Sequence, residues 1–198
     1  MKGNHDPILH LILQSMANIY KITGQHEESL AIDREVYAYI TQSRDSEHYL
    51  GTQHEFTAAL NLGISLLKTD RHGEAKTLLR EAISSARIKL GDNHDRTLCL
   101  LRTLAQALFM SHDATREDLN EAVDILEDNL RVTRQIYGRE HPEAKSLEQN
   151  LGMARMFQMM PRPGDGRPAA PPAEERDPGY FMHQAMKHLT EAFDISHV

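Results

Sequence analysis

The sequence predicts an all-α fold, a solenoid of about four antiparallel helix hairpins, on three observations. Tetrapeptides of the form Gly-x-x-His begin at residues 51, 91 and 138, and each precedes a long segment with helical apolar periodicity. Each segment contains a small step near its middle, written Asn-Leu-Gly, Thr-Leu-Ala and Asn-Leu-Gly in chain order. Successive openings are about 40 and 47 residues apart, an interval typical of stacked repeats.

The composition favours helix-on-helix packing and argues against several functional classes. Of the 198 residues 40% are hydrophobic, but only 6% are aromatic and none is Trp, so aliphatic side chains must build most of the core. The net charge is −7 and no basic cluster occurs, which argues against a nucleic-acid partner. The single cysteine, Cys99, excludes a disulfide framework or a thiolate zinc finger within this chain.

No segment has the pattern of a signal peptide or a membrane span. Asp6 and Pro7 precede the first apolar run. The longest strongly apolar stretch, residues 98–110, contains Arg102 and is too short to cross a bilayer. With the unpaired thiol, these features predict a cytoplasmic protein that has no membrane partner.

The helix signals divide the chain into a repeat array at residues 1–160 and a tail. Residues 161–179 hold six of the eight prolines and are predicted to be a disordered loop. Residues 180–198 return to helical periodicity and are expected to be the closing helix of the fourth hairpin. Within the array, the hairpins are expected at residues 7–43, 54–89 and 94–137, and the first helix of the fourth at 141–160.

Local signals mark several helix ends. Gly24 can take the left-handed conformation that ends many helices. Thr115 and Asp118 have the spacing of a capping box. His141 is followed by Pro142, a capping residue before a proline at the first helical position.

Small residues recur seven apart in the second helices, a spacing that brings them to one face where backbones can approach closely. These pairs are Ser29 and Val36, Ala75 and Ala82, Ala122 and Asn129, and Ala185 and Ala192. The opening at residues 138–142 reads Gly-Arg-Glu-His-Pro, and an Asn-Leu-Gly step follows at residues 150–152. In these features the chain resembles the tetratricopeptide repeat, in its kinesin-light-chain-like form. The resemblance implies a right-handed superhelix and a non-enzymatic protein-interaction module without a cofactor.

The resemblance also implies a concave groove, lined by the first helix of each pair, in which an adaptor or scaffold holds an extended peptide or a partner helix. Asparagine amides there can bind a peptide backbone, and Arg102 or Lys68 can pair with its acidic groups. The groove candidates that the resemblance implies are Gln14, Ser15, Asn18, Asn61, Ile64, Lys68, Arg102, Thr103, Gln106, Phe109, Gln149, Asn150, Met153 and Met156.

Two other interpretations remain open. The apolar first helix, with Leu9, Ile12 and Leu13, would suit a self-associating segment of a longer repeat protein. An enzyme or a metal-binding protein is a remote alternative, because the twelve histidines form no His-x-x-x-His pair. The histidines of the Gly-x-x-His openings occur one per repeat, so they are interpreted as helix-start residues, and no metal site is predicted.

Overall fold

The computed structural model describes residues 7–44 and 51–160, and within these residues the chain is helical without a strand. The predicted loop at residues 161–179, the closing helix at 180–198 and the cap Asp6 lie outside the described residues. The helices are α1 Pro7–Ile22, α2 His26–Gln42, α3 Thr52–Lys68, α4 His72–Leu90, α5 Asp95–Phe109, α6 Arg116–Tyr137 and α7 Pro142–Met159.

The helices pack as a chain of hairpins around two clusters of buried side chains. α1 packs on α2, α3 on α4 and α5 on α6, and each later first helix also packs on the second helix before it. α5 touches both α3 and α7, so these first helices lie side by side. A continuous buried cluster runs from Leu30 to Ala154. The prediction of an all-α solenoid is confirmed.

Three glycines that lie at the boundaries between repeats share one backbone conformation. Gly51, Gly91 and Gly138 have φ of 94°, 96° and 87° and ψ of 163°, 162° and 167°, a region open essentially only to glycine. The Gly91 and Gly138 amides donate to the last turns of α4 and α6. Each glycine therefore redirects the chain into the next first helix.

The capping signals have the predicted geometry. The Thr115 side chain accepts from the Asp118 amide at 3.0 Å, and the Asp118 carboxylate accepts from the Thr115 amide at 3.1 Å, which completes a capping box. His94 and His141 cap α5 and α7, since each Nδ1 accepts a backbone N–H two residues on. These two histidines are thus helix caps, as the sequence predicted.

The second helices carry the predicted small residues toward their neighbours. All six members of the pairs in α2, α4 and α6 are buried. On the opposite, outer side, ion pairs tie successive second helices together. Arg34 pairs with Glu74 at 2.5 Å, and Arg80 holds both carboxylate oxygens of Glu121 at 2.6 and 2.8 Å.

Candidate ligand surface on the first helices

One position in each first helix is accessible in all four repeats. It lies one residue after a small residue of each helix, namely Ala17, Gly63, Ala105 or Gly152. The residues at this position are Asn18, Ile64, Gln106 and Met153. Ile64 and Gln106 are half-buried, whereas Asn18 and Met153 are exposed. From Ile64 to Met153 this row crosses the array, because α3, α5 and α7 lie side by side.

A second accessible row lies one helical turn further on, on the same face. It contains Ile22, which is 86% exposed, then Lys68 and Met110, which are also exposed. The repeat motif predicted Lys68 but not Ile22 and Met110, although these residues follow the first row at a spacing of four residues. The two rows together, Asn18, Ile22, Ile64, Lys68, Gln106, Met110 and Met153, are called the first-helix surface below.

Polar contacts join α5 to α7 beside this surface. Arg102 pairs with Glu143, a partner that sequence reasoning did not identify. Gln106 Nε2 donates to Asn150 Oδ1 at 3.4 Å. These side chains therefore help to fix the angle between two repeats, and a ligand that used Arg102 would have to share its guanidinium with Glu143.

Three of the predicted groove residues lie beneath the surface. Thr103 is buried and donates to the Cys99 carbonyl at 2.9 Å, and Phe109 is buried with its ring 5.9 Å from that of Phe157. Asn150 is only 5% exposed. In this conformation the three side chains support the surface and are not available to touch a ligand directly.

The remaining predicted residues keep some access to solvent. Gln14 and Asn61 are half-buried, while Ser15, Gln149 and Met156 are exposed. Lys68 pairs with none of the carboxylates in the described part of the chain. The ammonium group of Lys68 is thus accessible on this surface for an ion pair with a ligand.

The described residues offer little for cofactor chemistry. Among them, no three His, Cys, Asp or Glu side chains are placed to hold a metal ion. Burial raises the pKa of the Cys99 thiol, which makes it a poor nucleophile at neutral pH. None of the seven described helices is long and apolar enough to cross a membrane.

Comparison with known proteins bears on the family and the fold. Two family models of the tetratricopeptide repeat match the chain, one over residues 54–116 and one over residues 113–143. No curated protein matches the sequence. Residues 54–143 therefore match tetratricopeptide repeats, and proteins with such repeats generally mediate protein–protein interaction.

Solved structures refine the type of repeat. A protein of Podosopora anserina assigned as a kinesin light chain, with nearly identical TPR-like repeats, superposes with a TM-score of 0.66 at 17% identity over 99% of this chain and 80% of that one. A point-substituted form of it gives 0.66 at 21% identity, over 79% and 71%. The repeats are thus of kinesin-light-chain-like type in fold, and the prediction of a superhelical solenoid of this type is confirmed.

Proposed function

We propose that this chain is a non-enzymatic adaptor that binds an extended peptide or a partner helix across the first-helix surface. The observation that carries the proposal is the accessible row of Asn18, Ile64, Gln106 and Met153. These side chains occupy equivalent positions in four helices, next to buried core residues. A ligand lying across the array would meet one of them in every repeat.

The spacing of the helices suggests the form of the ligand. Packed helices lie about 8–10 Å apart. An extended chain advances about 3.3 Å per residue. A peptide crossing α3, α5 and α7 would therefore present about one side chain in three to successive first helices.

The chemistry of the surface suggests the composition of the ligand. Ile64, Met110 and Met153 offer apolar contact, and methionine adapts to ligands of different shape. Lys68 would attract an acidic group, and Gln106 could bond a peptide backbone. We propose a partner segment with apolar residues at intervals of about three and a carboxylate near the apolar group that meets Ile64.

The packing of the array supports binding with little rearrangement. On the outer side, the ion pairs Arg34–Glu74 and Arg80–Glu121 connect successive second helices. A further ion pair, Arg102–Glu143, connects α5 to α7. A surface that is already ordered loses less conformational entropy when it binds. The net charge of −7 supports a protein partner over a nucleic acid, and the lone thiol of Cys99 suits the proposed cytoplasmic location.

The proposal can be tested by selecting displayed random peptides on the chain and mapping the bound peptide by NMR of isoleucine and methionine methyl groups. We expect the signals of Ile64, Met110 and Met153 to shift. The exposed isoleucines Ile88 and Ile136, on α4 and α6, are internal controls and should not shift. Shifts confined to Ile88 and Ile136 would place the ligand on the second helices and contradict the proposal.

A second candidate function, self-association through the N-terminal helix, rests on a different observation. Leu9, Ile12 and Ile19 are exposed on α1. The equivalent residues of α3 are Glu55, Ala58 and Ser65, all buried, and α3 packs on the second helix before it. α1 therefore exposes the face that in α3 packs against the preceding second helix. A second helix from another copy of the chain could pack against this face of α1.

Sedimentation velocity over a range of protein concentration tests this candidate. Self-association through α1 predicts a concentration-dependent dimer that the variant Ile12→Glu/Ile19→Glu loses. Ile88→Glu makes the same change at an exposed position of α4 and should retain the dimer. A monomer at all concentrations would rule out the candidate and leave the adaptor proposal intact.

A further inference from the structure

An open pocket of about 730 Å³ lies between α6 and α7. The residues that α7 contributes to it follow one helix face at intervals of three and four. They are Glu148, Leu151, Gly152 and Arg155. Leu130 contributes an apolar side chain from α6.

The same face is covered in the earlier hairpins. In α3 the equivalent residues are Ala59, Leu62, Gly63 and Leu66, all of which are buried. α4 packs against this helix, and Leu79 approaches so closely that its Cδ2 would lie 2.9 Å from a Cβ added to Gly63. The pocket on α7 therefore corresponds to the surface on which α3 receives its second helix.

The surroundings of Gly152 show that no described residue fills this part of the pocket. A Cβ added to Gly152 would meet nothing within 4 Å, in contrast to Gly63. Because Gly152 has no side chain, another helix could pack closely against α7 at this point. No helix among the described residues packs there.

The sequence of the tail carries the pattern of a second helix. Ala185, Leu189 and Ala192 have the same spacing as Ala75, Leu79 and Ala82 of α4. Some twenty residues separate Met159 from Tyr180, more than enough to let the chain return antiparallel to α7. By this alignment Leu189 would occupy the position over Gly152 that Leu79 occupies over Gly63.

The charges at the pocket suit the same segment. Four arginines and two glutamates line it, an excess of positive charge. Residues 180–196 contain Glu191 and Asp194 against one lysine, Lys187. In an antiparallel arrangement both acidic residues would lie toward the start of α7, the end at which Arg139 lines the pocket.

We propose that residues 180–196 form a second helix that occupies the pocket between α6 and α7, with Leu189 packed over Gly152. This assigns the pocket to the chain itself, and it does not depend on the proposed peptide binding. The fourth hairpin is then completed by a helix that the chain supplies after the proline-rich segment at residues 161–179.

Disulfide trapping in the full chain tests the proposal. The variant Gly152→Cys/Leu189→Cys is prepared in a Cys99→Ala background and oxidised at low protein concentration. We expect an intramolecular disulfide between positions 152 and 189, because the proposed packing places residue 189 over residue 152 and the smaller cysteine leaves room for both sulfur atoms. Gly152→Cys/Thr190→Cys is the matched control, and its second cysteine faces about 100° away on a helix. It should oxidise several-fold more slowly.

Two results would overturn the proposal. Equal oxidation of the two pairs would mean that Leu189 does not face Gly152. A disulfide that joins two chains would assign the pocket to a second copy.

A pair of variants without engineered cysteines keeps the proposal falsifiable if those proteins fail to fold. Leu189→Asp should lower the melting temperature by several degrees, because it would bury a carboxylate. Thr190→Asp, at the position equivalent to the exposed Arg80, should leave the melting temperature nearly unchanged. Equal melting temperatures for these two variants would contradict the proposal.

Discussion

Asp33 and Lys21 form an ion pair of 2.7 Å inside the first hairpin, where the later hairpins bury leucine. The Asp33 side chain is 1% exposed and also accepts from Ser65 Oγ at 2.6 Å. The equivalent residues of α4 and α6 are Leu79 and Leu126, both fully buried. At this position the contact between the first two repeats is therefore made by a paired charge, where the later hairpins have an aliphatic side chain.

Replacing Asp33 alone should destabilise the chain strongly. Asp33→Leu leaves the Lys21 ammonium without its carboxylate in a largely buried site, and we expect a loss of about 3 kcal/mol in the free energy of unfolding. Lys21→Leu/Asp33→Leu removes both charges and supplies the side chains found in α3 and α4, so it should recover most of that loss. Urea unfolding measures both. A double variant as unstable as Asp33→Leu would show that the charge pair is not the cause.

The close approach of Leu79 to Gly63 predicts that a larger residue at position 63 lowers stability. Gly63→Val should destabilise the chain by about 1–3 kcal/mol, because the added carbons meet Leu79 within a packed core. Gly73→Val is the matched control, since nothing lies within 4 Å of a Cβ added there, and it should change stability by less than about 0.5 kcal/mol. Thermal unfolding distinguishes them, and equal losses would contradict the close packing of α3 on α4.

The positive φ of Gly91 predicts that replacing this glycine also lowers stability. Gly91→Ala forces a β-carbon into a backbone conformation with φ of 96° and ψ of 162°, which we expect to cost about 1–3 kcal/mol even though the added atom meets no neighbour. Gly73→Ala adds the same methyl within helix α4, where no positive φ is required, and should be neutral or slightly stabilising. Stability unchanged by Gly91→Ala would mean that the glycine conformation is not needed between α4 and α5.

The half-buried thiol of Cys99 should make stability depend on pH in the alkaline range. Burial raises the pKa of Cys99 in the folded chain, so the folded state holds the thiol proton more tightly than the unfolded state does. This contribution is fully present below the unfolded pKa of about 8.5 and is lost as pH rises through the folded pKa. The difference in free energy of unfolding between wild type and Cys99→Ser should thus shrink between pH 7 and pH 10. A constant difference would show that the thiol titrates alike in both states.

The helix framework was predictable because its signals are local. The capping box of Thr115 and Asp118, and the His141–Pro142 start, each involve residues within four positions of one another. Such patterns act before any tertiary contact is made.

The details of the candidate surface were less predictable because they depend on packing between repeats. Thr103 and Asn150 were expected to face a ligand, yet both are buried, and Asn150 accepts a hydrogen bond from Gln106 of α5. One residue along a helix turns a side chain by about 100°, so the resemblance selects the first helices but does not fix which of their side chains face outward. The burial of Asp33 was missed for the same reason, since its partners Lys21 and Ser65 come from two other helices.

The most direct test of the adaptor account is a calorimetric titration of a selected peptide into two variants. Met153→Glu places a charge on the first-helix surface, and Ile136→Glu places one at a similarly exposed position of α6. The account predicts that Met153→Glu weakens binding by about tenfold, equivalent to about 1.4 kcal/mol, while Ile136→Glu leaves the affinity unchanged. Equal affinity for both variants, or a loss only with Ile136→Glu, would contradict it.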